Sequence, residues 1–295
     1  MSALPAPENI ITVSFATRAP RVHEAVTLQN AITQVVAAKK STNRRPKYVS
    51  GLEQYLIKFA AGREAMLVSE ITADDVEHWF TMRDEKPITR QSNLGRLSAL
   101  FNYATRRKWA HENICKDVEK CYVDRGVPKI LSVEHCKLLM TRTLEHEPSM
   151  IPYFALALFC GIRPDEIKRL NSSDVNLERG FVEISAATSK TRRRRLVTIN
   201  DTARAWLELN STLPILNWRR KFRRVRSNLI RKKWVAAIPW HGDILRHTAA
   251  SMMFATHGET ITARELGHSA QMLFTHYREL VSPQDAAEFW GILPK

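Results

Sequence analysis

Between residues 28 and 120 the apolar positions recur at helical spacing. Leu28, Ile32, Val35 and Val36 share one face, and Leu52, Tyr55, Leu56 and Phe59 share another. Thr72 followed by Asp75 is a capping signature ahead of "DVEHWF", and Leu94, Leu97, Leu100, Phe101 and Ala104 form a later stripe. This period predicts a small bundle of four or five helices over 28–120. Residues 1–27 hold three prolines and no sustained period, and read as a poorly ordered or loosely docked arm.

Around Gly126 and Pro128 the period is lost, so 121–131 reads as a linker, with Ser132 capping the next helix and a second domain at 132–295. That domain opens with helices, and "SMIPYFALALFCG" is apolar enough to be central to a core. From Val175 to Asn200 the character changes. β-branched residues cluster, Gly180 marks one turn and "TSKT" another, which predicts a three-stranded antiparallel sheet with a strongly positive second turn. Residues 201–293 return to a helical pattern. The expected fold class is mainly α with a small antiparallel β-sheet.

Charge changes the picture. The 295 residues carry a formal charge of +15, which predicts attraction to a polyanion, most commonly nucleic acid. Residues 219–233 hold nine Lys or Arg and no acid, while Trp218, Phe222, Val225 and Leu229 repeat at helical spacing. One stripe can pack inward while Arg219, Arg220, Arg223 and Arg224 lie on cationic faces that repel each other until an anion compensates. Arg96 and Arg106 fall on or beside the polar face of the earlier bundle. The four cysteines show no metal-ligand spacing and fit a reducing compartment. With no secretory leader pattern and no apolar run of spanning length, the expected location is cytoplasmic. A glycine-rich phosphate loop, a zinc-protease motif, a serine-hydrolase elbow and a clustered set of carboxylates for Mg²⁺ are all missing. Any phosphate chemistry would therefore fall to cationic side chains.

Four stretches of the second domain stand out together. "CGIRPDEIKRL" holds Arg163 and Glu166, "TSKTRRRR" holds Lys190, "DILRHTAASMM" holds Arg246, and "LGHSAQMLFTHY" holds His268 with Tyr277 nine residues later. In content and order this set resembles the tyrosine recombinases, the integrases and site-specific recombinases of phages, mobile elements and bacterial chromosomes. The resemblance implies a helical core-binding (SAM-like) domain followed by an α+β catalytic domain. It implies cleavage and rejoining of DNA strands through a 3′-phosphotyrosyl bond on Tyr277, with no metal, ATP or other cofactor. Arg163 and Arg246 would hold the non-bridging oxygens, Lys190 would act as general acid, and His268 would support the phosphate charge. Glu166 would orient an arginine or nearby backbone. Arg192, Arg193, Arg194 and Arg195 would contact backbone phosphates. The implied partners are double-stranded DNA and three further copies of the chain, as a homo-tetramer on two DNA sites, with no membrane.

One position departs from the family pattern. The histidine usual three residues before the second arginine is Asp243 here, and an aspartate beside a phosphate is repelled unless protonated or paired. Two further readings therefore stand beside the recombinase. One is a catalytically weak or inactive DNA-binding protein of the same fold; the other is a DNA-relaxing enzyme of the type IB topoisomerase kind. The residues after Tyr277 end in an apolar cluster, Phe289, Trp290, Ile292 and Leu293, suited to a neighbouring subunit or to their own domain. For the basic run, neutralising Arg219, Arg220 and Arg223 together should lower the slope of log K against log salt for duplex binding, by about 0.9 for each lost phosphate contact. An unchanged slope in a salt titration means that this helix faces away from DNA.

Overall fold

The computed structural model describes residues 25–123, 128–189, 194–231, 240, 242–267 and 281–295. The chain divides into two compact units, Met1–Asp124 and Arg125–Lys295.

In the first unit the predicted stripes become helices α1 (Leu28–Ser41), α2 (Pro46–Ala60), α3 (Ala73–Thr81) and α4 (Pro87–Arg107). Their ends follow from local chemistry. Thr27 caps α1 by accepting from the Asn30 amide, and Thr72 and Asp75 form a reciprocal capping box on α3. Prolines occupy the first position of α2 and α4, where no backbone donor is needed. Leu28, Val35, Leu56, Phe59, Leu97, Leu100 and Phe101 meet in the core with no or almost no exposure. Residues 1–24 of the expected arm lie outside the described residues. Val26 is buried against this unit, and its carbonyl accepts from the Val68 amide at 2.9 Å.

The second unit begins with α5 (Val133–His146), capped by Ser132, and α6 (Ile151–Leu158), whose every residue is buried. A four-residue helix, α7 (Pro164–Ile167), follows. The sheet is antiparallel in the order β1 (Val175–Asn176), β2 (Phe181–Ile184), β3 (Arg195–Thr198). Its register pairs Val182 with Val197 and Ile184 with Arg195, so Val182, Ile184 and Val197 all face the core. Gly180, at φ +70°, makes the first turn as expected. Then come α8 (Asp201–Leu209), α9 (Trp218–Arg231), α10 (Ile244–Leu266) and α11 (Pro283–Trp290). Within α10 the backbone breaks at Gly258, at φ 72°, ψ −174°, so two helical pieces run end to end.

Of the two partners open to the C-terminal apolar cluster, its own unit takes it. Phe289 and Ile292 are buried in the core, and the Trp206 indole donates to the Ile292 carbonyl at 2.7 Å. Trp290 donates to the Thr256 hydroxyl, while Leu293 stays 54% exposed. All four cysteines are free thiols, and burial pushes those of Cys115 and Cys160 up to about 12. Among the described residues no helix is long and apolar enough to cross a membrane.

Leu97 has no solvent exposure at the centre of α4. Leu97→Ala should destabilise the first unit by about 2–5 kcal/mol through lost burial and the cavity left behind. The measurement is urea denaturation followed by far-ultraviolet circular dichroism.

Candidate active site

The site is built from the turn that leaves α6. Gly161 adopts φ +61°, and a side chain there would collide with that of Leu266, so both conformation and packing require glycine. Arg163 precedes Pro164, which disfavours helical backbone at residue 163; it is extended (φ −64°, ψ 139°) and caps α7 with its carbonyl. One turn on, Glu166 has no exposure, and it meets two guanidinium groups. Arg195 Nη2 and Nη1 donate to its two oxygens at 2.7 and 3.3 Å, and Arg163 Nη1 lies 3.6 Å from Oε1. The Arg195 contact is a two-pronged fork, the geometry in which a guanidinium binds a carboxylate best.

Arg246 enters from the first turn of α10 and is 2% exposed. Its Nη1 donates to the Gly161 carbonyl and its Nη2 to the Leu266 carbonyl, the latter at 2.6 Å. Two fixed acceptors set the plane of the guanidinium. The far end of α10 is tied to the sheet in turn, since the Thr198 amide and hydroxyl both donate to Glu265, at 3.0 and 3.2 Å. Gly267 ends α10 in the left-handed conformation, and a Cβ there would lie 3.5 Å from Cδ of Arg195. The described parts of four separate sequence stretches thus converge on one corner carrying three guanidinium groups and one carboxylate. Its excess positive charge favours an anion, and paired arginines can grip a phosphate through several N–H donors at once.

Lys190, His268 and Tyr277, with Arg192 and Arg193, lie outside the described residues. Arg194 is exposed and pairs with Glu183 at 2.7 Å, which lowers the glutamate's pKa through that hydrogen bond. Arg195 differs from its expected grouping. Strand β3 turns its side chain inward to Glu166, leaving 14% of it exposed, because successive residues of a strand face opposite ways. Asp243 is exposed, makes no side-chain cap on α10, and uses its carbonyl to accept from the His247 amide. Arg169 donates twice to the Thr188 carbonyl, at 3.1 and 2.6 Å. No signal in the sequence marks that contact, because it depends on how the sheet meets α7. Among the described residues no three His, Cys, Asp or Glu side chains gather as a metal-binding set.

In both units the basic residues divide. On α9, Val225 is buried and Trp218 stacks on Phe222 at 4.9 Å, while Arg219, Arg220, Arg223 and Arg224 are exposed. Arg224 reaches Glu147 at 3.3 Å. In the first unit Arg96 is half-buried over the Tyr55 ring and donates to Asn93. Arg106 is exposed beside Lys39, whose pKa is lowered by partial burial and then by the charges of Arg106 and Arg44.

No family model matches the chain. Two curated relatives do, both named tyrosine recombinase XerC. That of Roseiflexus castenholzii is 27% identical over 175 residues, covering 57% of this chain and 54% of the relative. The match therefore spans about half the length of that relative. That of Bacillus licheniformis is 25% identical over 262 residues, covering 78% of this chain and 84% of the relative. Among solved structures, the Tn1549 transposon integrase in complex with transposon right end DNA matches with a TM-score of 0.66 at 14% identity, over 89% of this chain and 97% of that one. A lambda integrase tetramer bound to a Holliday junction matches with a TM-score of 0.65 at 15% identity, over 88% of this chain and 80% of that one. In sequence the chain is similar to proteins named tyrosine recombinase, and its fold is that of the lambda and Tn1549 integrases.

In this tyrosine recombinase fold the Gly161 turn is the joint on which the Arg246 anchor rests. Gly161→Ala forces a left-handed backbone on a residue with a Cβ, at about 1–2 kcal/mol, and displaces Leu266 as well. Arg246→Lys leaves a carbonyl of Gly161 or Leu266 without its buried donor, at about 1–3 kcal/mol. Both variants should melt earlier than the unsubstituted chain in a thermal scan; an unchanged melting temperature would contradict the anchoring role of this turn.

Proposed function

We propose that the chain is a site-specific DNA recombinase that cuts and rejoins strands through a covalent protein–DNA bond. The Tyr277 phenolic oxygen attacks the scissile phosphorus as the bond to the 5′-oxygen breaks. The phosphorus stays joined to the 3′-oxygen of the upstream strand as a phosphotyrosine, and the leaving 5′-oxygen takes a proton from Lys190. A 5′-hydroxyl from the partner strand then attacks the phosphotyrosine, reforming a phosphodiester and returning the tyrosine. The covalent link conserves the energy of the original bond, so the scheme calls for neither ATP nor a metal ion.

Each residue type suits its task. A free phenol has a pKa of about 10 and is a weak nucleophile near neutrality, so nearby cations assist it by favouring the phenolate. Arg163 and Arg246 would bind the non-bridging oxygens, where charge grows as phosphorus becomes five-coordinate, and His268 would add a further hydrogen bond. The observation that carries this reading is the double anchor of Arg246 on the Gly161 and Leu266 carbonyls. It ties the arginine of "LRHT" to the backbone at the "GIRPDE" and "LGH" stretches, as a site preorganised for a phosphate requires. The relatives named as tyrosine recombinases and the fold shared with DNA-bound integrases support the same conclusion. The assembled form would be a homo-tetramer on two duplex sites, by analogy with the lambda integrase tetramer on a Holliday junction.

A second reading draws on Asp243. It keeps duplex binding through α9 and the first unit but lacks strand cleavage, since an exposed carboxylate stands where the family pattern has a histidine. A nicked duplex whose cleavage releases a short downstream fragment bearing the new 5′-hydroxyl separates the two. Incubated with the chain and no ATP or metal, it should yield a covalent adduct on a denaturing gel, absent with Tyr277→Phe. Shifted DNA in a native gel without any adduct would leave the binding protein alone standing.

A further inference from the structure

The turn that follows Arg163 grips both feet of the connection between β2 and β3. The foot on the β2 side is folded and buried. The Ser189 amide donates to the Ser185 carbonyl at 2.8 Å, the Thr188 amide to the Ser185 hydroxyl at 3.2 Å, and Ser189 has no exposure. Arg169 clamps this foot by donating from Nε and Nη2 to the single Thr188 carbonyl. The foot on the β3 side is Arg195, whose guanidinium forks onto the buried Glu166 carboxylate. Glu166 and Arg169 belong to one turn, since the Arg169 amide donates to the Glu166 carbonyl at 2.9 Å. That turn is hydrogen-bonded in its own right to the carbonyl of Arg163, through the amides of Glu166 and Ile167.

We infer that Arg169, together with the Glu166–Arg195 pair, is a positioning device that fixes the β2–β3 connection relative to Arg163. The inference rests on the reading above, in which the connection carries the general acid, Lys190. Lys190 is the next residue after Ser189 in the chain, so the Thr188 carbonyl held by Arg169 lies two residues before it. A lysine has four rotatable side-chain bonds, and its ammonium can meet a leaving oxygen repeatedly only if the backbone that carries it is held still. Arg169 touches neither phosphate nor nucleophile in this scheme. Its removal should therefore harm proton delivery and spare the rest of the reaction.

Leaving-group chemistry isolates that step. An alkoxide leaves only with a proton, whereas a thiolate leaves without one, a thiol having a pKa of about 8.5. The test compares nicked duplexes carrying oxygen or sulfur at the 5′-bridging position of the scissile phosphate, with adduct formation timed for the unsubstituted chain, Arg169→Ala and Arg163→Ala. On the oxygen substrate Arg169→Ala should be slower by about 10²-fold or more, the usual worth of a general acid. On the sulfur substrate it should return to within about threefold of the unsubstituted chain, while Arg163→Ala stays slow on both. Arg169→Lys, which keeps the charge and loses the two-pronged donor, should show the same pattern more weakly, and it is the variant to time if alanine does not fold. Equal slowing of the Arg169 variants on both substrates would overturn the inference and leave the recombinase reading intact, as would no slowing at all. No adduct from the unsubstituted chain on either substrate would overturn both.

Discussion

A buried carboxylate between two arginines governs this structure. Moving an ion the size of the Glu166 carboxylate out of water costs several kcal/mol, and only close, well-aligned cations offset that cost. Arg195 supplies the aligned fork and Arg163 a looser contact. The reverse holds as well, because the two guanidinium groups would repel each other without the carboxylate between them. α7, the end of β3 and the turn out of α6 are therefore fixed by one electrostatic balance. Arg246 joins the same corner through backbone carbonyls, so its place depends on the Gly161 turn rather than on a partner charge.

The two units share one electrostatic habit. In each, a well-formed apolar core carries positive groups close to one another. Lys39, Arg44 and Arg106 sit close enough to disfavour the charged form of the lysine. On α9 Arg219, Arg220 and Arg223 are exposed, and Arg224 pairs with Glu147. A polyanion laid along either cluster would relieve this crowding by releasing its counterions, whatever its base sequence.

Much of the architecture was legible because it is local. Period and capping residues place α1, α3 and α4 directly, and Thr72 with Asp75, or Ser132 alone, mark helix starts that the hydrogen bonds reproduce. Gly180 and the β-branched clusters likewise reveal the sheet and its antiparallel sense. What stayed hidden depends on contacts far apart in the chain. Arg192 to Arg195 are four identical side chains in a row, and only the pairing of Ile184 with Arg195 shows which one turns inward. Arg169 reads as an ordinary surface arginine until the base of the β2–β3 connection is brought against α7. The break at Gly258 falls inside a stretch whose flanks are both helical, and a lone glycine in such a pattern gives no clue that the backbone departs there. The resemblance to the recombinases supplied the grouping of the boxes, and the Gly161, Leu266 and Arg246 contacts give that grouping a physical form.

The way α9 is attached has a consequence of its own. Its arginines push against one another along the helix, and beside the exposed Arg224–Glu147 pair what holds it down is apolar: Trp218 and Phe222 stacked on each other, with Phe222 against Phe154 and Val225 buried. Dissolved salt weakens the repulsion and leaves the aromatic contact intact. Raising ionic strength therefore tightens this helix onto its own protein while loosening its hold on any polyanion. Salt thus acts with opposite sign on the seating of α9 and on its attraction for a polyanion.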